Sequence, residues 1–341
     1  MYSTSGVPRL RQEVSYPRRV LLGLGSMLSR RSIRYITLLH AWGTDVMLSI
    51  NLGGKVALVT GVGDSDSFAW YIAKTLQAAG ATVVLACHPR VVGIVESFLS
   101  RDADRKDREL PYTGGEFKPA KVFPCDASYD TMDDVPAEVK TDRRYAKFSD
   151  YSIHGMVKAV GAEFGGIDIL VHSMAFSREI TKSAKDTGRK AYMEALGISA
   201  YSLTSLLYAA EPFMENRSGG ASALGLTYLG GDRVVPYYGG GMSTAKAALQ
   251  IDAKQLASNL GGKNIRVNLI SAGPYASRAA RSIRPGEMEK SIEYAASRSP
   301  LPRAISPQEV ADATAYLCSP LASAVTGQIL YVDCGYNVMG I

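Results

Sequence analysis

Lys55-Val-Ala-Leu-Val-Thr60, running straight into Gly61-Val-Gly-Asp-Ser-Asp-Ser-Phe-Ala-Trp70, is the stretch on which the fold turns. Val56 to Val59 are apolar without a break, as in a strand buried on both faces of a parallel sheet. From Phe68 to Ala79 the apolar residues recur at helical spacing. A strand, a glycine turn and a helix N-terminus in that order make an anion site. Free N–H groups and the helix dipole both favour a pyrophosphate there. Gly61 permits the tight turn, and Ser67 offers a hydroxyl at the helix start. The pattern falls short of a full G-x-G-x-x-G, and a plain strand–helix turn would use the same residues.

Outward from this unit, strands and helices alternate. Thr82-Val-Val-Leu-Ala86 and Lys121-Val-Phe123 read as strands. A helical stretch, Ile153 to Phe164, leads into Ile167-Asp-Ile-Leu-Val-His172, and a long helical segment ends near Met214. Ala223 to Tyr228, a helix from about Met242, Ile265 to Ser271, a helix after Pro307 and Gln328 to Val332 complete the series. Such alternation predicts a doubly wound, Rossmann-type α/β fold with a parallel sheet in a single domain. Two irregular regions, about 91–118 and 127–152, read as surface elaborations.

The second strand ends at Ala86-Cys87-His88-Pro89-Arg90, without the acid that often holds the ribose diol of NAD. His88 is a candidate for packing along an adenine, and Arg90 for meeting a 2′-phosphate or solvent. These residues leave NAD and NADP both open. Asp126, just past the third strand, is placed to accept from an adenine amino group, and equally to cap a turn.

Thr227-Tyr228 ends the fifth strand. Ten residues on comes Tyr238, then Gly239-Gly-Gly241, then Met-Ser-Thr-Ala-Lys246. Hydride addition to an enoyl or carbonyl group builds negative charge on oxygen, and a phenol held there donates a hydrogen bond or a proton. A nearby ammonium would lower the phenol pKa and hold the cofactor's ribose hydroxyls. Short-chain reductases ordinarily place Tyr and Lys four apart, one helical turn. Eight apart on a regular helix leaves about 80° between the side chains. The three glycines answer this with an irregular start and regular helix only from about Met242.

The charge is uneven. Residues 1–50 hold seven Arg, no Lys and two acids, while the rest of the chain holds 31 basic and 30 acidic groups. A near-neutral body argues against a nucleic-acid partner. The apolar run Val20 to Leu28 is too short to span a bilayer, so no membrane association is expected. The division expected is a targeting leader or disordered extension over 1–50 and a reductase domain over 51–341. Cys87, Cys125, Cys318 and Cys334 form no CxxC pair and have no His at metal spacing, so no metal is expected.

Tyr228-x9-Tyr238-x7-Lys246, within Thr227-Tyr-Leu-Gly-Gly-Asp-Arg-Val-Val-Pro-Tyr-Tyr-Gly-Gly-Gly-Met-Ser-Thr-Ala-Lys246, resembles the enoyl-[acyl-carrier-protein] reductases of type II fatty acid synthesis, in their plastid and apicomplexan branch. The likeness covers about 50–341. It takes in Ile167 to Ser173, Ile198-Ser-Ala-Tyr201, Arg266 to Pro274, Leu330 to Gly335, and the charged segment Asp133 to Lys140 with Arg144-Tyr-Ala146. The resemblance implies reduction of the trans-2 double bond of enoyl-acyl carrier protein with NADH, NADP not being excluded. It also implies a homotetramer in a plastid, apicoplast or chloroplast, after removal of the leader. It implies that Gly61, Ser67 and Phe68 line the pyrophosphate turn, that Asp126 and Ala127 flank the adenine beside His88, and that Ser173, Met174 and Ala175 meet the ribose. Lys246 would hold the nicotinamide ribose. Tyr275, Ala276, Ser277, Arg278 and Ala279 would close on the nicotinamide amide. Tyr238 would stabilise the enolate oxygen, Tyr228 would border the thioester, and Ser177 would stand at the substrate mouth.

The chain departs from the plastid pattern at several places. Ser67-Phe-Ala-Trp70 stands for Gly-Tyr-Gly-Trp, His88 for Trp, Tyr275 for a smaller aliphatic residue, and Phe176-Ser177 for Asn-Gly. The helix after Ala279, with Arg278, Arg281 and Arg284, is a candidate substrate lid. Its basic face would meet an acidic carrier protein or simply solvent. Two other readings stand beside this one. One is a short-chain dehydrogenase acting on a ketone or alcohol, which the lack of Tyr-x-x-x-Lys opposes. The other is a catalytically silent dinucleotide sensor, which the intact Tyr238 and Lys246 oppose.

Overall fold

The computed structural model describes residues 49–283 and 286–340. The expected leader over 1–50 lies almost wholly outside these residues, as does Arg284 of the lid. Seven strands, β1 (Val56–Thr60), β2 (Thr82–Cys87), β3 (Lys121–Pro124), β4 (Ile169–His172), β5 (Ala221–Thr227), β6 (Ile265–Ala272) and β7 (Ile329–Val332), form a parallel sheet in the order 3-2-1-4-5-6-7. The order reverses between β1 and β4. A ligand crevice opens at the carboxyl ends of strands at such a switch point.

The helices are α1 (Phe68–Ala78), α2 (Val92–Ser100), α3 (Ala137–Lys140), α4 (Ile153–Phe164), α5 (Arg189–Leu196), α6 (Ser202–Met214), α7 (Met242–Gly261), α8 (Arg278–Ile283), α9 (Glu287–Arg298) and α10 (Pro307–Cys318). Apolar side chains of α1 and α10 cover one face of the sheet, and those of α4, α6 and α7 cover the other. The central strands are therefore buried on both sides, which is why Val56–Thr60 and Ala221–Thr227 are buried at every position.

Asp168 fixes the opposite end of the sheet. This buried carboxylate accepts from the Val56 N–H at 2.9 Å and from Arg217 Nη2 at 2.7 Å, and Lys55 Nζ lies 3.1 Å away. These bonds outweigh the effect of burial and hold its carboxyl below the usual range.

The region 91–118 is more than a surface elaboration. Helix α2 buries Val92, Val95 and Phe98 on one face, and Phe117 stacks edge-on against Trp70 with ring centroids 5.1 Å apart. The spacing 92, 95, 98 is that of an amphipathic helix. Region 127–152 closes over its own small cluster of Val135, Tyr145 and Tyr151. Among the described residues, no helix is long and apolar enough to cross a membrane, and no cluster of His, Cys, Asp or Glu could hold a metal ion.

Candidate active site

At the carboxyl end of β1, Gly61 takes φ 78° and its N–H donates to Ala86 O at 3.0 Å. A Cβ there would fall 2.1 Å from Ser173 O, so only glycine lets this turn pass beneath the end of β4. Gly63 has open space where a side chain would stand. Ser67 caps α1, its Oγ accepting from the Trp70 N–H at 3.3 Å. A bare turn below a capped eleven-residue helix suits a pyrophosphate.

At the β2 and β3 ends, His88 and Asp126 meet. Tyr145 Oη donates to Asp126 Oδ2 at 2.7 Å, His88 Nε2 lies 3.3 Å from the same oxygen, and the Ser128 N–H donates to Oδ1 at 2.9 Å. Burial pushes the Asp126 carboxyl up, but the His88, Ser128 and Tyr145 contacts outweigh it and bring it down to about 2. Asp126 is therefore both a turn cap and an ionised acceptor, with half-buried Ala127 following it. Arg90 lies over the Tyr145 ring, 5.5 Å from its centroid, and 3.4 Å from Asp142. That contact accounts for part of its charge, yet the side chain stays half exposed.

Past β5, the Tyr228 and Tyr238 rings meet edge to face, 4.9 Å between centroids. Gly240 and Gly241 take φ 60° and 82° and form the irregular start expected from the sequence. Helix α7 begins at Met242. Lys246 differs from expectation. Its buried ammonium donates to Leu226 O at 2.7 Å, and burial lowers its pKa to about 8. The Tyr238 phenol is pushed up rather than down, by burial first and then by the Tyr228 phenol, and Tyr228 itself is pushed up to about 12 by burial and by Tyr336. With Lys246 committed to a strand carbonyl, nothing depresses the phenol. Tyr238 stays protonated, a neutral hydrogen-bond donor.

Ser173, Met174, Ala175 and Ser177 lie between these two halves. Ser173 O sits beneath Gly61, and Ser177 Oγ donates to Gly240 O at 2.8 Å. Gly273 leads from β6 into the half-buried run Tyr275, Ala276 and Ser277. Ser277 Oγ accepts from the Ala280 N–H at 3.2 Å, at the start of α8, which carries Arg278 and Ala279. Tyr275 stacks on Phe68 with centroids 5.1 Å apart, and its hydroxyl donates to Asp66 Oδ1 at 2.5 Å.

Two of the lid arginines, Arg278 and Arg281, stay exposed while lying near carboxylates of the glycine turn. Arg281 Nη2 lies 2.5 Å from Asp66, and Arg278 lies 3.9 Å from Asp64. Sequence reasoning also missed Ser199, whose hydroxyl bonds the Phe176 N–H and carbonyl, and Ser202, whose hydroxyl donates to Ile198 O. No motif signals such contacts.

A doubly wound sheet with a glycine turn after β1, and with tyrosine and lysine after β5, defines a short-chain dehydrogenase/reductase. Residues 148–337 match the family described as Enoyl-(Acyl carrier protein) reductase. The chain is 46% identical over 295 residues to the chloroplastic enoyl-[acyl-carrier-protein] reductase [NADH] 1 of Oryza sativa, covering 86% of this chain and 77% of the relative. It is 39% identical to the Plasmodium berghei enoyl-acyl-carrier-protein reductase solved with triclosan, with a TM-score of 0.79 over 84% of this chain and 98% of that one. It is 32% identical to the Anaplasma phagocytophilum enoyl-(acyl-carrier-protein) reductase solved with NAD, with a TM-score of 0.68 over 86% and 99%. The chain belongs to the enoyl-(acyl carrier protein) reductase family.

Proposed function

We propose that this enzyme reduces the trans-2 double bond of an enoyl chain carried on acyl carrier protein, with NADH as reductant. Bound NADH supplies the hydride that adds at Cβ of the substrate. The observation that carries the reading is the edge-to-face pairing of Tyr228 and Tyr238, half-buried and neutral, beyond the carboxyl end of β5. Addition at Cβ sends charge to the thioester oxygen. A neutral phenol there stabilises the enolate by donation without giving up its proton, and the proton that completes the reduction reaches Cα from solvent. Tyr228 walls the thioester, and Ser177 lines the mouth. Lys246 would hold the nicotinamide ribose hydroxyls, a binding role. Gly61, Ser67 and Phe68 hold the pyrophosphate, Asp126 with Ala127 and His88 the adenosine, and Ser173–Ala175 with Tyr275–Ala279 the nicotinamide end.

The test follows NADH oxidation with crotonyl and acetoacetyl thioesters side by side. Turnover of crotonyl thioester alone is expected. Absence of crotonyl turnover with both NADH and NADPH would sink the reading, and acetoacetyl turnover would instead favour a ketone reductase.

Two further statements belong to the same proposal. The enzyme works in a plastid, supported by the acid-poor, arginine-rich residues 1–50 and the chloroplastic relatives. Fusing residues 1–50 to a fluorescent protein should send it to that organelle, and a diffuse signal would refute it. The reductase body over 51–341 assembles as a homotetramer, supported by the half-exposed apolar strand β7 and by exposed Tyr208 and Ile251 on α6 and α7. Light scattering on the purified protein decides this.

A further inference from the structure

Helices α5 and α6 are one continuous rod interrupted by a π turn at Gly197–Tyr201. The Ser202 N–H donates to Gly197 O, five residues back. The Ile198 carbonyl, which an α-turn would give to that N–H, instead accepts from Ser202 Oγ at 2.7 Å. His172, buried at the end of β4, lies with Nε2 2.7 Å from the same Oγ. Because that hydroxyl already donates to Ile198 O, His172 is the donor. The chain His172–Ser202–Ile198 ties the widened turn to the sheet. The π turn also packs against α7, the helix that carries Lys246.

A single extra residue in a helix shifts every later side chain by about 100°. Here the shift delivers Ser199, fully buried, to the loop that follows β4. Its Oγ accepts from the Phe176 N–H at 2.9 Å and donates to Phe176 O at 3.1 Å. One hydroxyl thus satisfies both main-chain groups of one residue. The loop 173–177 then has three fastenings: the Gly61 turn beneath Ser173, the Ser199 clamp on Phe176, and Ser177 on Gly240. The first faces the phosphate turn and the last faces the glycines between Tyr238 and Lys246. Only the middle one is supplied from outside the crevice.

We propose that Ser199, presented by the π turn and held in register by Ser202 and His172, is a positioning residue that sets the 173–177 loop between the dinucleotide cradle and the tyrosine pair. The proposal rests on the reductase reading for its kinetics and on dinucleotide binding alone for its affinity. Ser199→Ala in the full chain should raise the KM for NADH and for crotonyl thioester about tenfold, with kcat changed less than threefold, because uniform binding is lost while Tyr238 is untouched. Native-state hydrogen exchange should rise at the Phe176 amide and not at β5 or β6. Ser199→Cys, which keeps a weak donor and acceptor in nearly the same volume, should fall between wild type and alanine. The NADH dissociation constant, read by fluorescence without substrate, should follow the same order. A folded Ser199→Ala, or Ser199→Cys if alanine does not fold, with NADH affinity within twofold of wild type overturns the proposal. So does a kcat loss at unchanged KM. A wild type that binds NADH but ignores crotonyl thioester would count against the reductase reading, and the affinity series would still judge the clamp.

Discussion

Replacing Gly61 by alanine tests the cradle at its tightest point. The new Cβ would lie 2.1 Å from Ser173 O and 2.6 Å from Ser173 C. That is about 1 Å inside ordinary contact distance, so β1 or the loop after β4 must yield. Both are fixed, β1 by pairing on two sides and the loop by Ser199 and Ser177. The overlap should cost about 2 kcal/mol by analogy with overpacked cores. Residue 61 also sits at φ 78°, where any side chain adds strain, and the penalty there is about 1 kcal/mol. A total near 3 kcal/mol lowers Tm by about 6 °C in a domain of this size. Displacing Ser173 by about 1 Å should raise the KM for NADH tenfold or more. Differential scanning fluorimetry and an NADH titration read both effects. A variant with Tm within a degree and NADH affinity within twofold of wild type would show that the turn is a plain connection, and the cradle reading would fall.

Tyr238→Phe should lower kcat about a hundredfold, the worth of one oxyanion donor, while NADH affinity and Tm hold; steady-state kinetics beside fluorimetry check it. Lys246 is a charge-assisted donor only while protonated, and burial lowers its pKa to about 8, so the KM for NADH should climb as pH rises through that value. The climb should be absent in Lys246→Met, as a pH series on both proteins will show. Asp168 has a depressed pKa, so its contribution to stability is complete above the ordinary Asp value and fades as pH falls through that value toward the folded one. Asp168→Asn should lose about 2 kcal/mol at neutral pH, discounted for its partly exposed partners, and should show a flatter acid limb in urea melts. Asp66→Asn removes the charge and replaces one of the two acceptor oxygens used by Tyr275 and Arg281 with an NH2 donor, and should speed NADH release in stopped-flow.

The sheet could be read before any coordinates because a parallel strand buried on both faces must be largely apolar, and Val56–Val59 is so throughout. The tyrosine–lysine spacing could be read because three consecutive glycines have one conformational use at a helix start. Lys246 was legible as a site residue but its partner was not. Reaching Leu226 O depends on how deeply α7 sits on β5, and no local pattern encodes depth. The acidic partner of Arg281 was hidden for the same reason, since it lies some two hundred residues earlier in the chain. Ser199 gave no signal because its partner is a peptide group, and every residue has one.

The spacing of eight has a chemical consequence as well as a geometric one. On a regular helix with the two residues four apart, the ammonium would lie beside the phenol and make it more acidic, which suits delivery of a proton to a basic alkoxide. Here side chains at Gly239 and Gly240 would strike Lys182 O and the Glu179 carbonyl, so the backbone passes close to that segment and swings Tyr238 off the helix onto Tyr228. Lys246 is left to β5. Burial then raises the phenol pKa, and no cation opposes it. A thioester enolate is a weaker base than an alkoxide, and its proton must arrive at carbon. The group such an oxygen needs is a donor that holds on to its own hydrogen, and separating tyrosine from lysine produces one.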